Sequence, residues 1–180
     1  MSNTQIVVLA CAAVLVFWMV GAYNRLVGLR NAIASAWALV DEVLKKRGDA
    51  VTALVLALRE ALAGEQNALE ALLAADRQVR AAAAAMSVRP VDPALAAAVL
   101  AGEAAMASAA SRVLSLLEQH EARHEAAVAP HAEVLRESVA RLAFARQLFN
   151  DAASTYNEAV RLFPTRLLAD LYRFKPAGRL

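Results

Sequence analysis

One cysteine, Cys11, in 180 residues leaves no intramolecular disulfide to form and no thiolate set to hold zinc. Glycine (6) and proline (5) are sparse and aromatics make up 6%. Sandwich and Rossmann-type folds need more of these residues for their turns and strands, which leaves long helices. Charges of both signs are interspersed and the net charge is only +2. Without a basic stripe interleaved with stacking aromatics, no nucleic-acid face is expected. The chain also lacks a Gly-rich phosphate loop, a Ser/His/Asp or Cys/His arrangement, and the pair of Glu-x-x-His motifs that a di-iron bundle requires.

What the chain has is apolar sequence at helical spacing, preceded by an uncharged run. Ile6 to Ala22 carries no charge and no proline; about 17 residues at ~1.5 Å each span some 26 Å, short but sufficient for a bilayer. Ser2 to Gln5 lack cations, whereas Arg25, Arg30, Lys45, Lys46 and Arg47 follow the run. By the positive-inside rule the N-terminus is expected outside and the rest of the chain in the cytoplasm, with Trp18 and Tyr23 anchoring at the interface. Two rival readings fit less well. A secretory signal would need a basic n-region, although Val20-Gly21-Ala22 would pass as a cleavage site. A lipoprotein box at Val8-Leu9-Ala10-Cys11 would have only about five apolar residues ahead of it.

The expected fold is all-α: an N-terminal transmembrane helix (1–22) continuous with an antiparallel up-down four-helix bundle of long helices (23–163), then a C-terminal tail (164–180). In the first helix Leu26, Ile33 and Val40 recur every seven residues, as do Leu29, Ala36 and Val43, widened by Trp37 and Leu44. Lys45-Lys46-Arg47 followed by Gly48 and Asp49 reads as a C-terminus and the next N-cap. The second helix, from about Ala50 to Met86, would bury Val51, Val55, Leu58, Leu62, Leu69, Leu72 and Val79; Glu65 and Asp76 on the same stripe would each need a partner such as Arg77, or a place where the stripe meets water. That division pairs a helix of about 55 Å with one of about 37 Å, so a reversal near Gly64 is the competing reading. Two prolines in Arg89-Pro90-Val91-Asp92-Pro93 mark the clearest break. A third helix is expected to run to Ala127, with Leu95, Val99, Met106, Val113, Leu114 and Leu117 inward. Pro130 would mark the next turn. A fourth, from His131 to Phe163, carries the cleanest seam: Leu135, Leu142, Phe149, Tyr156 and Phe163, with Ser138, Ala145, Ala152 and Ala159 between. Up-down topology returns its end to the start of helix 1, so the tail should lie near the membrane.

Two stretches taken together carry a resemblance. Tyr23-Asn24-Arg25-Leu26-Val27-Gly28-Leu29-Arg30-Asn31, Ala36-Trp37, Asp41 and Leu44-Lys45-Lys46-Arg47-Gly48-Asp49 form the first. Ala145-Arg146-Gln147-Leu148-Phe149-Asn150-Asp151-Ala152, Tyr156-Asn157, Phe163-Pro164 and Phe174-Lys175 form the second. Both resemble the signatures of the LemA family, in the same order and across essentially the whole chain. Between them the chain departs from the family pattern, at Val51-Thr52-Ala53, at Ser138-Val139 and in the stretch ahead of Pro130. The resemblance implies an antiparallel helical bundle on a bacterial inner membrane and hands over no reaction.

Two constellations could carry chemistry. His120-Glu121-Ala122-Arg123-His124 fits H-E-x-x-H, in which imidazoles at i and i+4 share a helix face to bind zinc with the Glu as general base. Glu118, Arg123 and Glu125 crowd it with charge where a zinc helix runs apolar, so a solvated helix end is expected and a zinc-dependent hydrolase is the alternative. The aromatic-Asn pairs Tyr23-Asn24, Phe149-Asn150 and Tyr156-Asn157 form the second. Asn24, Arg30, Asn31, Arg146, Asn150 and Asn157 should converge near the bilayer, either as a network fixing helix register or as a contact for a lipid headgroup or partner helix. The expectation is a membrane-anchored scaffold without catalytic residues, cofactor or metal, whose partners are the lipid bilayer and a protein partner or further copies of itself, and not nucleic acid.

Overall fold

The computed structural model describes residues 2–120 and 125–180. Among them the structure is helical without strands: α1 (Asn3–Leu58), a 3-10 turn (Ala63–Glu65), α2 (Gln66–Val88), α3 (Pro93–Glu118), α4 (Ala129–Arg161) and α5 (Thr165–Leu171). Two of these helices, α1 and α3, are long and apolar enough to cross a membrane. The apolar stretch of α1 has no buried residue, whereas that of α3 is partly packed into the protein.

The first helix does not stop at Gly48. It runs unbroken for 56 residues and the chain reverses only at Arg59–Glu65, the competing reading above. A glycine inside a helix costs about 1 kcal/mol relative to alanine, which neighbouring Leu44, Val51 and Leu54, all buried, readily offset. Gly48 serves a different purpose. A Cβ there would lie 2.6 Å from Asp76 Oδ1 and collide with the Arg80 guanidinium, so its absence lets α2 close on α1. Asp49 is accordingly no N-cap; it pairs with Arg80 at 3.2 Å. The partner of buried Asp76 is likewise Arg80, whose Nε donates to Oδ2 at 2.7 Å, rather than Arg77. The reversal is closed by Gln66, whose Nε2 donates to the Arg59 carbonyl at 2.9 Å, satisfying one orphan acceptor of the helix end.

The longer α1 also removes the length mismatch. Its stretch beyond Tyr23, about 36 residues and ~54 Å, lies along α4, whose 33 residues span ~50 Å. The shorter α2 (23 residues) and α3 (26 residues) pack on each other, and α2 packs on α1. Partner numbers rise on one helix as they fall on the next: Trp37 meets Ser87 and Asp49 meets Arg80, while Glu65 meets Arg112 and Gly102 meets Val79. Trp37 is a junction, donating its indole N–H to Ser87 at 2.9 Å and standing edge-on to Phe149 of α4.

Three other boundaries differ from the expectation. The third helix ends at Glu118, not Ala127, and Pro130 sits inside the first turn of α4, where its missing N–H costs nothing. The fourth ends at Arg161; Leu135, Leu142, Phe149 and Tyr156 are buried as the seam predicts, but Phe163 is 80% exposed. The tail contains a helix of its own, α5, closed by a Schellman turn. The Phe174 N–H donates to the Ala169 carbonyl, that of Arg173 to Asp170, and Arg173 adopts φ 58 where glycine is usual.

Candidate functional site: the asparagine ladder, a buried ion pair and two grooves

Beyond α5 the chain turns back and runs as an extended strap from Phe174 to Leu180. Ala177, Gly178 and Leu180 are buried. Asn157 accepts from the Ala177 N–H at 2.6 Å and donates to its carbonyl at 3.0 Å. Asn150 does the same to Leu180, at 2.8 and 2.6 Å. The spacing explains the pairing: seven residues of helix rise about 10.5 Å, and three residues of extended chain cover about 10 Å. Asparagines two turns apart therefore meet backbone amides three residues apart in register. Tyr156 adds a third rung, donating its hydroxyl to the Lys175 carbonyl at 3.0 Å. Burial pushes its phenol above the ordinary value, against the nearby Arg30 cation, so the hydroxyl stays a donor. Gly178 fits where a Cβ would lie 2.7 Å from the Pro93 Cα, and its N–H donates to the Val91 carbonyl. The strap thus joins α4 to the start of α3.

Of the six polar residues expected to converge, Asn150 and Asn157 do so, on the strap. Each side-chain amide uses both its oxygen and its nitrogen there. Asn24, Arg30 and Asn31 are exposed on α1, and Arg146 is half-buried beside Leu180 and Glu103.

A buried ion pair is the residue pattern that sequence reasoning missed. Arg47 on α1 and Glu103 on α3 are 9% and 10% exposed and meet through both guanidinium Nη atoms, one at 2.9 Å. Each had a signal. Arg47 continues the seven-residue row Leu26, Ile33, Val40, so it occupies a core position, and Glu103 is the sole charge between Asp92 and Arg112. In Lys45-Lys46-Arg47 the arginine resembles a cation at a helix terminus, but α1 runs on past it. The Arg47 Nε is buried without a hydrogen-bond partner among the described residues.

The pair stands between two open grooves. One, of about 700 Å³, lies between α1 and α4, with Leu39, Val43, Val134 and Phe144 among its walls and Lys46 and Arg141 at its rim. The other, of about 900 Å³, lies between α3 and α4 and is walled by Leu100, Ala104, Ala107, Leu142 and Arg146. Arg47 and Ser138 line both. Apolar walls with charged rims suit an amphipathic helix or an acyl chain.

The His120 to His124 stretch offers less. His120 lies past the Gln119 cap of α3, and Glu121 to His124 lie outside the described residues. Among the described residues no group of three His, Cys, Asp or Glu could hold a metal ion.

A sequence model of the LemA family matches residues 36–180. The chain belongs to the LemA family. The match opens just before Trp37, the junction of α1, α2 and α4, and includes the ion pair, the asparagine ladder and the whole strap; the apolar run of α1 precedes it. No curated protein matches the chain.

Proposed function

We propose that this LemA protein is a single-pass, non-catalytic scaffold of the bacterial inner membrane. Its N-terminus lies outside, its helices form an up-down antiparallel bundle in the cytoplasm, and a protein partner or further copies of the chain dock on that bundle. The single observation that supports this reading is the continuity of α1, whose exposed apolar stretch passes without a break into the buried row Leu26, Ile33, Val40 and Leu54. A helix shared by anchor and core holds the domain at a set height over the bilayer, which suits a platform. The two grooves beside Arg47 supply docking surfaces, and no cofactor enters the scheme.

In-membrane crosslinking followed by mass spectrometry tests the proposal. Recovery of a reproducible partner, or of crosslinks between copies, through groove residues such as Lys46 supports it; a chain that yields neither contradicts it. Protease accessibility in intact cells tests the orientation, since the bundle should be protected until the membrane is opened. The zinc-hydrolase alternative has its own test: stoichiometric zinc in the purified protein would replace the scaffold reading.

A further inference from the structure

Phe163 is where the apolar seam of α4 leaves the core, and it opens a patch that the protein leaves uncovered. Leu162 is 60% exposed, Leu167 60%, Leu171 68% and Tyr172 48%. Elsewhere beyond Tyr23, large apolar side chains this exposed, such as Leu56 and Val88, are scattered; here five fall within eleven residues. Within α5 the division is clean. Leu168 and Ala169 are buried, while Leu167 and Leu171, four residues apart and so on one face, point away.

The position of the patch identifies its occupant. The Tyr23 ring, at the end of the apolar run, packs on Tyr172 with centroids 5.1 Å apart and on Phe174 at 5.9 Å. Met19 and Ala22 are half-buried in a run otherwise exposed, and α5 packs on α1. The corner therefore stands beside the last turns of the very segment that enters the bilayer. Its charge fits the same occupant: between 161 and 175 stand Arg161, Arg166, Arg173 and Lys175, all exposed, against Asp170 alone. One of these cations, Arg173, holds the left-handed position of the Schellman turn, where glycine is usual and any Cβ carries a steric cost.

We propose that the α4–α5 corner, residues 162–172, is a second membrane contact, in which Phe163, Leu167 and Leu171 enter the interfacial layer and the flanking arginines hold anionic lipid headgroups. The proposal rests on the reading of α1 as a span. Its consequence is mechanical. A single helix can spin and tilt in a bilayer, but one tied at a second point beside it cannot, so the grooves face a set direction relative to the membrane.

The test uses the full chain with Cys11→Ala, reconstituted in vesicles of phosphatidylcholine with phosphatidylglycerol, and spin labels placed singly through Val14→Cys, Phe163→Cys, Leu167→Cys, Leu171→Cys and Leu56→Cys. All five sites are exposed, so labelling leaves the core intact. Collision with oxygen and with a water-soluble nickel complex then reports depth. Positions 163, 167 and 171 should lie about 5–10 Å inside the headgroup boundary, position 14 in hydrocarbon and position 56 in water. If 167 and 171 read as aqueous as 56 while 14 reads hydrocarbon, the corner contact is rejected, the patch falls to a protein partner, and the span survives. If 14 itself is aqueous, the span and the proposal fail together. Arg166→Gln with Arg173→Gln should make the corner shallower only where phosphatidylglycerol is present; equal depth with and without the anionic lipid would overturn the headgroup part.

Discussion

Asn157→Ala is the sharpest perturbation of the strap. It removes two hydrogen bonds to Ala177, each with a net value of about 0.5–1.5 kcal/mol, so local opening should become easier by about 1–3 kcal/mol. Ala177 is 7% exposed, so its N–H and carbonyl lose their partner without gaining free access to water, which favours the upper half of that range. At 1.4 kcal/mol per tenfold, protection of the Ala177 amide against hydrogen exchange should fall by roughly 30- to 140-fold, with a smaller loss at Leu180, which keeps Asn150. Amides in the middle of α2 should be unaffected. Asn157→Asp keeps the acceptor but replaces the donor with a second acceptor, so at neutral pH it should do no better than alanine, and it should recover on acidification as the carboxyl becomes a donor. Asn24→Ala, at an exposed position, should stay within about 0.5 kcal/mol of the parent. Unchanged exchange at Ala177 in Asn157→Ala, or a uniform loss across all helices, would refute the ladder as a local clamp.

Three further outcomes follow from the same packing. Glu103→Gln leaves Arg47 charged and buried and should cost about 3–5 kcal/mol in urea unfolding of the full chain in detergent, whereas Arg47→Met with Glu103→Leu should be near neutral or stabilising. Gly28→Ala, with nothing within 4 Å of a new Cβ, should stabilise α1 by roughly 1 kcal/mol, while Gly48→Ala should lose stability because Asp76 and Arg80 occupy that space; gains at both sites in thermal melts would show that α2 is not seated on Gly48. Tyr156 has its pKa raised in the folded state above its ordinary 10.0, so its contribution is complete below pH about 10 and is lost as pH rises beyond it. Tyr156→Phe should remove that alkaline loss, together with about 1 kcal/mol for the hydrogen bond to Lys175, as read from unfolding midpoints across pH.

The buried rows of α1 and α4 were legible because they rest on a repeat of seven that packing then satisfies: Ile33, Val40, Leu142, Phe149 and Tyr156 are all inside. Gly48 misled because glycine after three cations is what a helix end looks like, and nothing local distinguishes a capping glycine from one emptied for a neighbour's side chain. Arg47 was hidden by the same inference, since a charge at a core position looks like a terminus until its partner, 56 residues away, is known. Phe163 keeps the seven-residue phase of the seam, yet the helix stops at Arg161 and the side chain swings outward. The strap was the least legible part. Its hydrogen bonds depend on a match between helical rise and extended rise that no short window contains, although the repeated aromatic-Asn pairs did point to Asn150 and Asn157.

If the apolar run and the buried row of α1 are one helix, a distance across Tyr23 reads it. Spin labels at Val7→Cys and Ser35→Cys, with Cys11→Ala, in the full chain in lipid nanodiscs are separated by 28 residues of α1, so a continuous helix places them about 42 Å apart. A single narrow distribution near that distance is the expected result. A broad distribution, or one centred well below it, would show a joint near Tyr23 in place of the continuous helix.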